Sequence, residues 1–298
     1  MSMTINTNVM SLNAQRNTIQ NSASMATTLQ RLSSGLRVNS AKDDAAGLAI
    51  ATRMDTQVRG MNVAIRNAND GISLAQTAEA GMNTITEMLQ RMRELAVQAA
   101  NSTNTTGLGG DIDKLNDEYK QLAQEIGRTL GSVSFNSQPL LSGGVTNYSF
   151  QIGANSGTTQ QIVISGGDLN LVGGSNSGAI GQIFQAGGTT GAWATLDLAV
   201  NSGSSNAVGA LSAIDSAISA VNTARAKLGA VQSRFENTIS FLRNAVEQQA
   251  AARGRIMDAD FAAETANLSR QQILQQAGTA MIAQANQVPQ NVLSLLRG

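Results

Sequence analysis

Two pairs of carboxylates, Asp43/Asp44 and Asp258/Asp260, come closest to a catalytic constellation in this chain of 298 residues. Neighbouring carboxylates can divide acid and base work when their surroundings push their pKa values apart. Each pair also falls where a helix is predicted to begin. An acidic residue is favoured there by the helix dipole, with no chemistry involved. The sequence has no histidine and no cysteine, which removes imidazole general-base chemistry, thiol nucleophiles, disulfides and most zinc and iron sites. The glycines of 173–191 lack the strand–turn–helix context of a dinucleotide site, and no Gly-Lys-Ser/Thr follows them. Matches to the N-glycosylation acceptor pattern at Asn101, Asn104, Asn147 and Asn267 are what chance gives in a chain so rich in Asn, Ser and Thr. An enzyme is disfavoured, and no cofactor or metal is expected.

The formal net charge is zero. A nucleic acid or an anionic membrane would want a basic face, so neither is an expected partner. The first residues, MSMTINTNVMSLNAQ, lack the basic and unbroken apolar regions of a cleaved secretory signal. The expectation is a cytosolic protein, or one exported by a route that reads an uncleaved terminus.

The longest periodic element runs from about Ala45 to Ala100. Its apolar positions include Met54, Val58, Met61, Ile65, Ala68, Ile72, Ala75, Met82, Ile85, Leu89, Met92 and Ala96. They follow alternating steps of four and three, with a stammer near Ala75. A continuous helix here would be about 80 Å long. Its predicted start is Ser40, with Asp43 at capping-box spacing. Arg91, Arg93 and Glu94 lie on its solvated face. Asp111 is expected to cap a second helix carrying Ile112, Leu115, Tyr119, Leu122 and Ile126. From Gly131 the character changes: residues 131–205 hold 15 of the 29 glycines and only two charges, Asp168 and Asp197. Within them, Tyr148–Ile152 and Gln161–Ile164 read as a hairpin, and the rest as short strands and loops. Helical spacing returns from about Ala207 to Ala252 and, after a break near Arg253–Asp260, in a terminal helix.

Both ends of the chain are built to be packed by something. The segment Gln271–Leu296 has no charge, yet seven glutamines disqualify it as a membrane span. What remains is a stripe of Leu274, Gly278, Met281, Ala285, Val288, Val292 and Leu295. The N-terminus repeats the pattern with Ile5, Val9, Leu12, Ile19, Ala23 and Ala26. Such seams bury little until other helices arrive, so these termini are expected to order on assembly, with copies of the same chain as partners. Pro289 should kink the last helix or start a new turn. The predicted fold is mainly α: an antiparallel long-helix rod or coiled coil, with a β-hairpin and a small β- and loop-rich variable middle region.

These segments together resemble bacterial flagellin. Arg31–Gly47 (RLSSGLRVNSAKDDAAG), Arg66–Ile72 (RNANDGI) and Gln90–Gln98 (QRMRELAVQ) are similar to N-terminal runs of that family. Gln271–Gly278 (QQILQQAG) and Ala285–Arg297 (ANQVPQNVLSLLR) are similar to its C-terminus. The resemblance implies a structural subunit that polymerises into the extracellular flagellar filament, exported without cleavage. Residues 1–44 with 257–298 would be paired inner-core helices, 45–138 with 206–256 an outer-core rod, 139–165 its hairpin, and 166–205 a short surface-exposed variable region. The polymerisation seam would be Ile5, Val9, Leu12, Ile19, Leu274, Met281, Val288, Val292 and Leu295. Implied partners are further subunits, an export chaperone at the C-terminal helices, and the filament cap and hook-junction proteins. A vertebrate Toll-like receptor is also implied, touching Gln90, Arg91, Glu94 and Leu95, with Glu118 on the next helix. Leu95, just off the seam, is expected to offer an exposed apolar contact. The alternatives are the related hook–filament junction protein and a secreted binding module that borrows flagellar export. The module would need a ligand site in 158–205, where Trp193 is the one tryptophan.

Overall fold

The computed structural model describes residues 7–105, 110–142, 147–171 and 204–297, with backbone alone for 204–206 and 288–297. Its elements are α1 (Val9–Ser34), α2 (Ala45–Ala99), α3 (Asp111–Ser132), β1 (Ser134–Phe135), β2 (Gln138–Pro139), β3 (Tyr148–Gln151) and β4 (Gln161–Ile164). A single turn α4 (Gly166–Leu169) and the long helices α5 (Ser204–Met257) and α6 (Phe261–Arg297) complete them. The chain forms two compact units, Met1–Val58 with Glu247–Gly298 and Arg59–Val246, so the divisions pass through α2 and α5 rather than at their ends.

In the unit Arg59–Val246, α2 and α5 run antiparallel. Phe235 meets Gly71, Gln232 bonds Glu79, and Asp215 pairs with Arg93. Their shared core takes Leu74, Met82, Ile85, Leu89 and Met92 from α2, and Ile214, Val221, Leu228 and Phe235 from α5. Helix α3 adds Tyr119, Ala123, Ile126 and Leu130. The predicted stripe on α2 is right in its second half. Earlier, Ala64, Gly71 and Leu74 are buried while Ile65 and Ile72 are only half-buried. Small residues bring the helices close, and the larger side chains of the partner fill the space.

Asn136 and Ser137 take positive φ of 49° and 64° between β1 and β2, a tight two-residue connection. The hairpin expected from the sequence is present: β3 pairs antiparallel with β4, Tyr148 opposite Ile164 and Phe150 opposite Ile162. Ile162 and Ile164 point into the core, while Gln161 and Val163 face out. Phe150 meets Phe235 edge-to-face at 5.6 Å, and Asn67 Nδ2 donates to the Gln151 carbonyl at 3.0 Å, which docks the hairpin on α5 and α2. Residues 166–171, expected at the surface, belong to the core instead. Leu169 and Leu171 are buried in the same cluster as Leu140 and Leu141, and Lys227 Nζ holds Asp168 at 2.6 Å. Low charge and high glycine content concealed two apolar anchors. The remainder of the variable region, including Trp193, lies outside the described residues.

In the other unit, α1 ends at Gly35, whose φ of 71° suits a left-handed cap. Its neighbours then pair with the segment between α5 and α6: Arg37 N donates to the Met257 carbonyl at 2.6 Å, and Ala259 N to that of Gly35 at 2.9 Å. Arg253 pairs with Asp55 across α5 and α2. The predicted start of α2 at Ser40 is a turn too early. Asp44 Oδ1 accepts from Gly47 N at 2.8 Å and caps the helix. Asp43 closes the preceding turn through Ser40 N and Oγ, both at 2.9 Å, and these bonds hold its carboxyl below the usual range. Asp260 likewise caps α6 through Ala262 N and Ala263 N. Both acidic pairs therefore contribute caps. Helix α6 continues through Pro289 to Arg297, so no new turn starts at the proline.

Candidate self-association surface

Helices α1 and α6 pack against each other antiparallel, and the contact between them is made mostly of small and polar side chains. Asn8 Nδ2 donates to the Ala285 carbonyl and Asn21 Nδ2 to that of Gln271, each at 2.8 Å. Gln271 Nε2 reaches Thr28 Oγ1 at 3.2 Å, and Arg31 Nη1 meets Glu264 Oε1 at 3.2 Å. Gly278 is pressed against Thr18, so a Cβ there would fall 2.7 Å from the threonine hydroxyl. Ser11 and Thr28 are the buried residues of α1.

The large apolar side chains point the other way. Val9, Leu12, Ile19, Leu274 and Met281, all predicted for the seam, are exposed, Ile19 by as much as 70%. Gly278 and Ala285 of the same predicted stripe face α1. One stripe read from the sequence is thus two surfaces. On α6 its small members Gly278 and Ala285 close the helix pair and its large members stay in water; on α1 Ala23 and Ala26 of the predicted stripe are exposed with the large ones. Met10, Leu29, Phe261 and Ile273 join the exposed set. Periodicity alone did not select them, although Met10 and Ile273 sit beside seam positions. Ile5 lies outside the described residues, as do the side chains of Val288, Val292 and Leu295. Each exposed leucine or isoleucine would contribute roughly 1.5–3 kcal/mol if covered, and a run of them marks an association surface.

A second cluster joins α2 to α3. Arg91 Nη1 lies 3.0 Å from Glu94 Oε2, and Arg91 Nη2 lies 2.8 Å from Glu118 Oε1. The two carboxylates push the guanidinium further toward its charged form. Gln90, Arg91, Glu94 and Glu118 are all exposed. Leu95 is not. At 1% exposure it is part of the subunit's own core, because α3 widens the buried face of α2 beyond a simple seam. Among the described residues, no group of three or more acidic side chains could hold a metal ion, and no helix is long and apolar enough to cross a membrane.

Paired terminal helices that leave their large apolar side chains in water are a candidate surface for association with other chains. Residues 5–146 match the bacterial flagellin N-terminal helical region, and residues 211–296 match the C-terminal one. The chain belongs to the bacterial flagellin family, whose members are structural subunits of the extracellular flagellar filament and not enzymes. It is 44% identical over 295 residues to a flagellin of Halalkalibacterium halodurans, covering 99% of this chain and 100% of that one. It is 41% identical over 314 residues to a flagellin of Bacillus subtilis, again covering 99% and 100%. A putative flagellar hook-associated protein from Vibrio parahaemolyticus shares the fold at a TM-score of 0.54 and 12% identity, over 72% of this chain and 100% of that one. That likeness concerns fold alone and does not favour the junction-protein alternative.

Proposed function

We propose that the outward faces of α1 and α6 are the polymerisation seam of the filament. Val9, Leu12, Ile19, Leu274 and Met281 carry it in the described residues, and Ile5, Val288, Val292 and Leu295 continue the same periodicity. The observation that supports this is the inversion of the helix pair, with amides and small residues inside and large apolar side chains outside. The terminal helices, 1–44 with 257–298, would form the inner layer, and 45–138 with 206–256 and the 139–165 hairpin the outer one. The test is the double variant Leu274→Asp with Met281→Asp. It should fold like the parent by circular dichroism and fail to sediment as filaments, since each buried carboxylate without a partner is strongly disfavoured. Normal filaments at ordinary subunit concentration would contradict the assignment.

The same apolar, charge-poor surface on α6 suits an export chaperone that covers it before assembly, and filament cap and hook-junction proteins that meet it at the ends. The cluster of Gln90, Arg91, Glu94 and Glu118 is the proposed contact for a Toll-like receptor. Its support is an exposed planar guanidinium already held in one orientation by two carboxylates. Leu95 would act there only by shaping the backbone beneath.

A further inference from the structure

Met10 on α1 and Met281 on α6 are the two exposed methionines among the described residues, at 62% and 60%. The other described methionines are turned inward. Met61, Met82 and Met92 are buried, the last two completely, and Met25, Met54, Met88 and Met257 are half-buried. The sulfur of this chain is all thioether, because it has 11 methionines and no cysteine. A peroxide therefore meets no thiol, and among the described residues its accessible sulfur is confined to the terminal pair. Met281 shares its face of α6 with the exposed Ile273 and Leu274, two turns earlier. Oxidation exchanges a flexible apolar side chain for a polar one, which disrupts any contact that depends on it.

We propose that Met10 and Met281 are an oxidation-sensitive site that controls entry into the filament. This rests on the reading that the outward faces of α1 and α6 are the polymerisation seam. The thioether sulfur attacks one oxygen of hydrogen peroxide, an S–O bond forms, the O–O bond breaks, and the remaining oxygen leaves as water. Sulfur gives up two electrons and peroxide takes them. A free subunit is open to this step, and a subunit already in the filament is shielded. To test it, free subunits are treated with dilute hydrogen peroxide, quenched, and mapped by peptide mass spectrometry. Sulfoxide should form at Met10 and Met281 at least about tenfold faster than at Met82 and Met92. The treated protein should show a critical concentration for polymerisation raised at least about tenfold. Methionine sulfoxide reductases with dithiothreitol, which release the oxygen as water and oxidise the dithiol to a disulfide, should restore assembly. Met10→Leu with Met281→Leu keeps the apolar volume without the sulfur, and should polymerise equally well before and after peroxide. Equal sulfoxide rates at exposed and buried positions, or an unchanged critical concentration after treatment, would overturn the proposal. So would a double-leucine variant that peroxide disables as fully as the parent. If that variant fails to polymerise untreated, the mass map and the parent's critical concentration decide the matter. The seam is tested separately by Leu274→Asp with Met281→Asp, which needs no oxidant. Filaments from that variant would remove both readings, whereas filaments from fully oxidised parent would remove this one alone.

Discussion

Phe235 occupies the space that Gly71 leaves empty. A Cβ built on Gly71 would lie 2.6 Å from the ring's Cζ and 2.9 Å from Cε2. The ring cannot swing away, because it is fully buried and meets Phe150 edge-to-face. This one glycine thus lets α2, α5 and the β3–β4 hairpin share a single aromatic contact.

Gly71→Ala should therefore destabilise the subunit despite alanine's better helix propensity. The propensity gain is about 1 kcal/mol, and overpacking of a filled core costs about 1–3 kcal/mol. Gly229→Ala on α5, where nothing beyond the helix's own adjoining backbone lies within 4 Å of the new Cβ, should instead stabilise by up to about 1 kcal/mol. Paired thermal melts would check both signs; a higher melting temperature for Gly71→Ala would show that the ring can yield.

Tyr119 should make the subunit sensitive to strong base. Burial pushes its phenol up to about 12, and its hydroxyl has no hydrogen-bond partner among the described residues. A folded-state pKa above the unfolded value of 10.0 means the contribution is fully present below pH 10 and lost as pH rises toward 12. The size is roughly 2–3 kcal/mol. Tyr119→Phe should remove this component and cost little near neutral pH, because no bond is lost. Denaturant melts of both proteins at pH 7 and pH 11 would test it, and parallel losses would reject the assignment.

The repeat of apolar positions along α2 was enough to predict a helix of the observed length, and alternation was enough for β3 and β4. Burial on α2 was harder to read. A 3-4 rhythm finds one seam, whereas α3 and α5 both cover this helix, so Leu95 and Leu74 go under as well. Glycines 71 and 81 carry no apolar signal, yet they accept Phe235 and Val133 from elsewhere in the chain. On α1 and α6 the rhythm grouped residues without giving their direction: Val9, Leu12, Ile19, Leu274 and Met281 face out, whereas Gly278 and Ala285 face in. Periodicity says which side chains share a face, and only a packed partner says which face is inside.

Arg91 and Leu95 should separate in receptor binding. Arg91→Ala should lower the affinity of the free subunit for the receptor ectodomain by about 1–3 kcal/mol, with a small change in melting temperature, since exposed ion pairs contribute little. Leu95→Ala should cost about 2–5 kcal/mol of fold stability. Calorimetric titration beside thermal melts would distinguish them; unchanged affinity for Arg91→Ala would remove the α2–α3 cluster from the contact.

The terminal pair should be the least protected part of the free subunit. Its contact is mainly polar, and its large apolar groups gain nothing from pairing. Hydrogen exchange should be fast across 9–30 and 262–285 in the subunit and at least a hundredfold slower in filaments, equivalent to about 3 kcal/mol. Strong protection before assembly would mean the pair is stable alone.

A loop replacement beginning at Gly166 should lower the melting temperature, because it deletes the buried Leu169 and Leu171. One beginning after Leu171 should spare it. Equal melts for the two would place those leucines outside the folding core.

Asn8 and Asn21 of α1 bond main-chain oxygens of α6, and Asn21 has the Gln275 side chain as a second acceptor at 3.4 Å. A main-chain oxygen is present whatever the side chain, so the bonds of Asn8 to Ala285 and of Asn21 to Gln271 do not depend on the identity of the acceptor residue. Arg31 has no such freedom, because Glu264 is unique. The register of the pair is set by side chains, Arg31 on Glu264, Thr28 on Gln271 and Thr18 against Gly278, while Asn8 and Asn21 add bonds to the main chain. The bonds from Asn8 and Asn21 to the main chain therefore survive substitution at Ala285 or Gln271, whereas the ion pair of Arg31 is lost with Glu264.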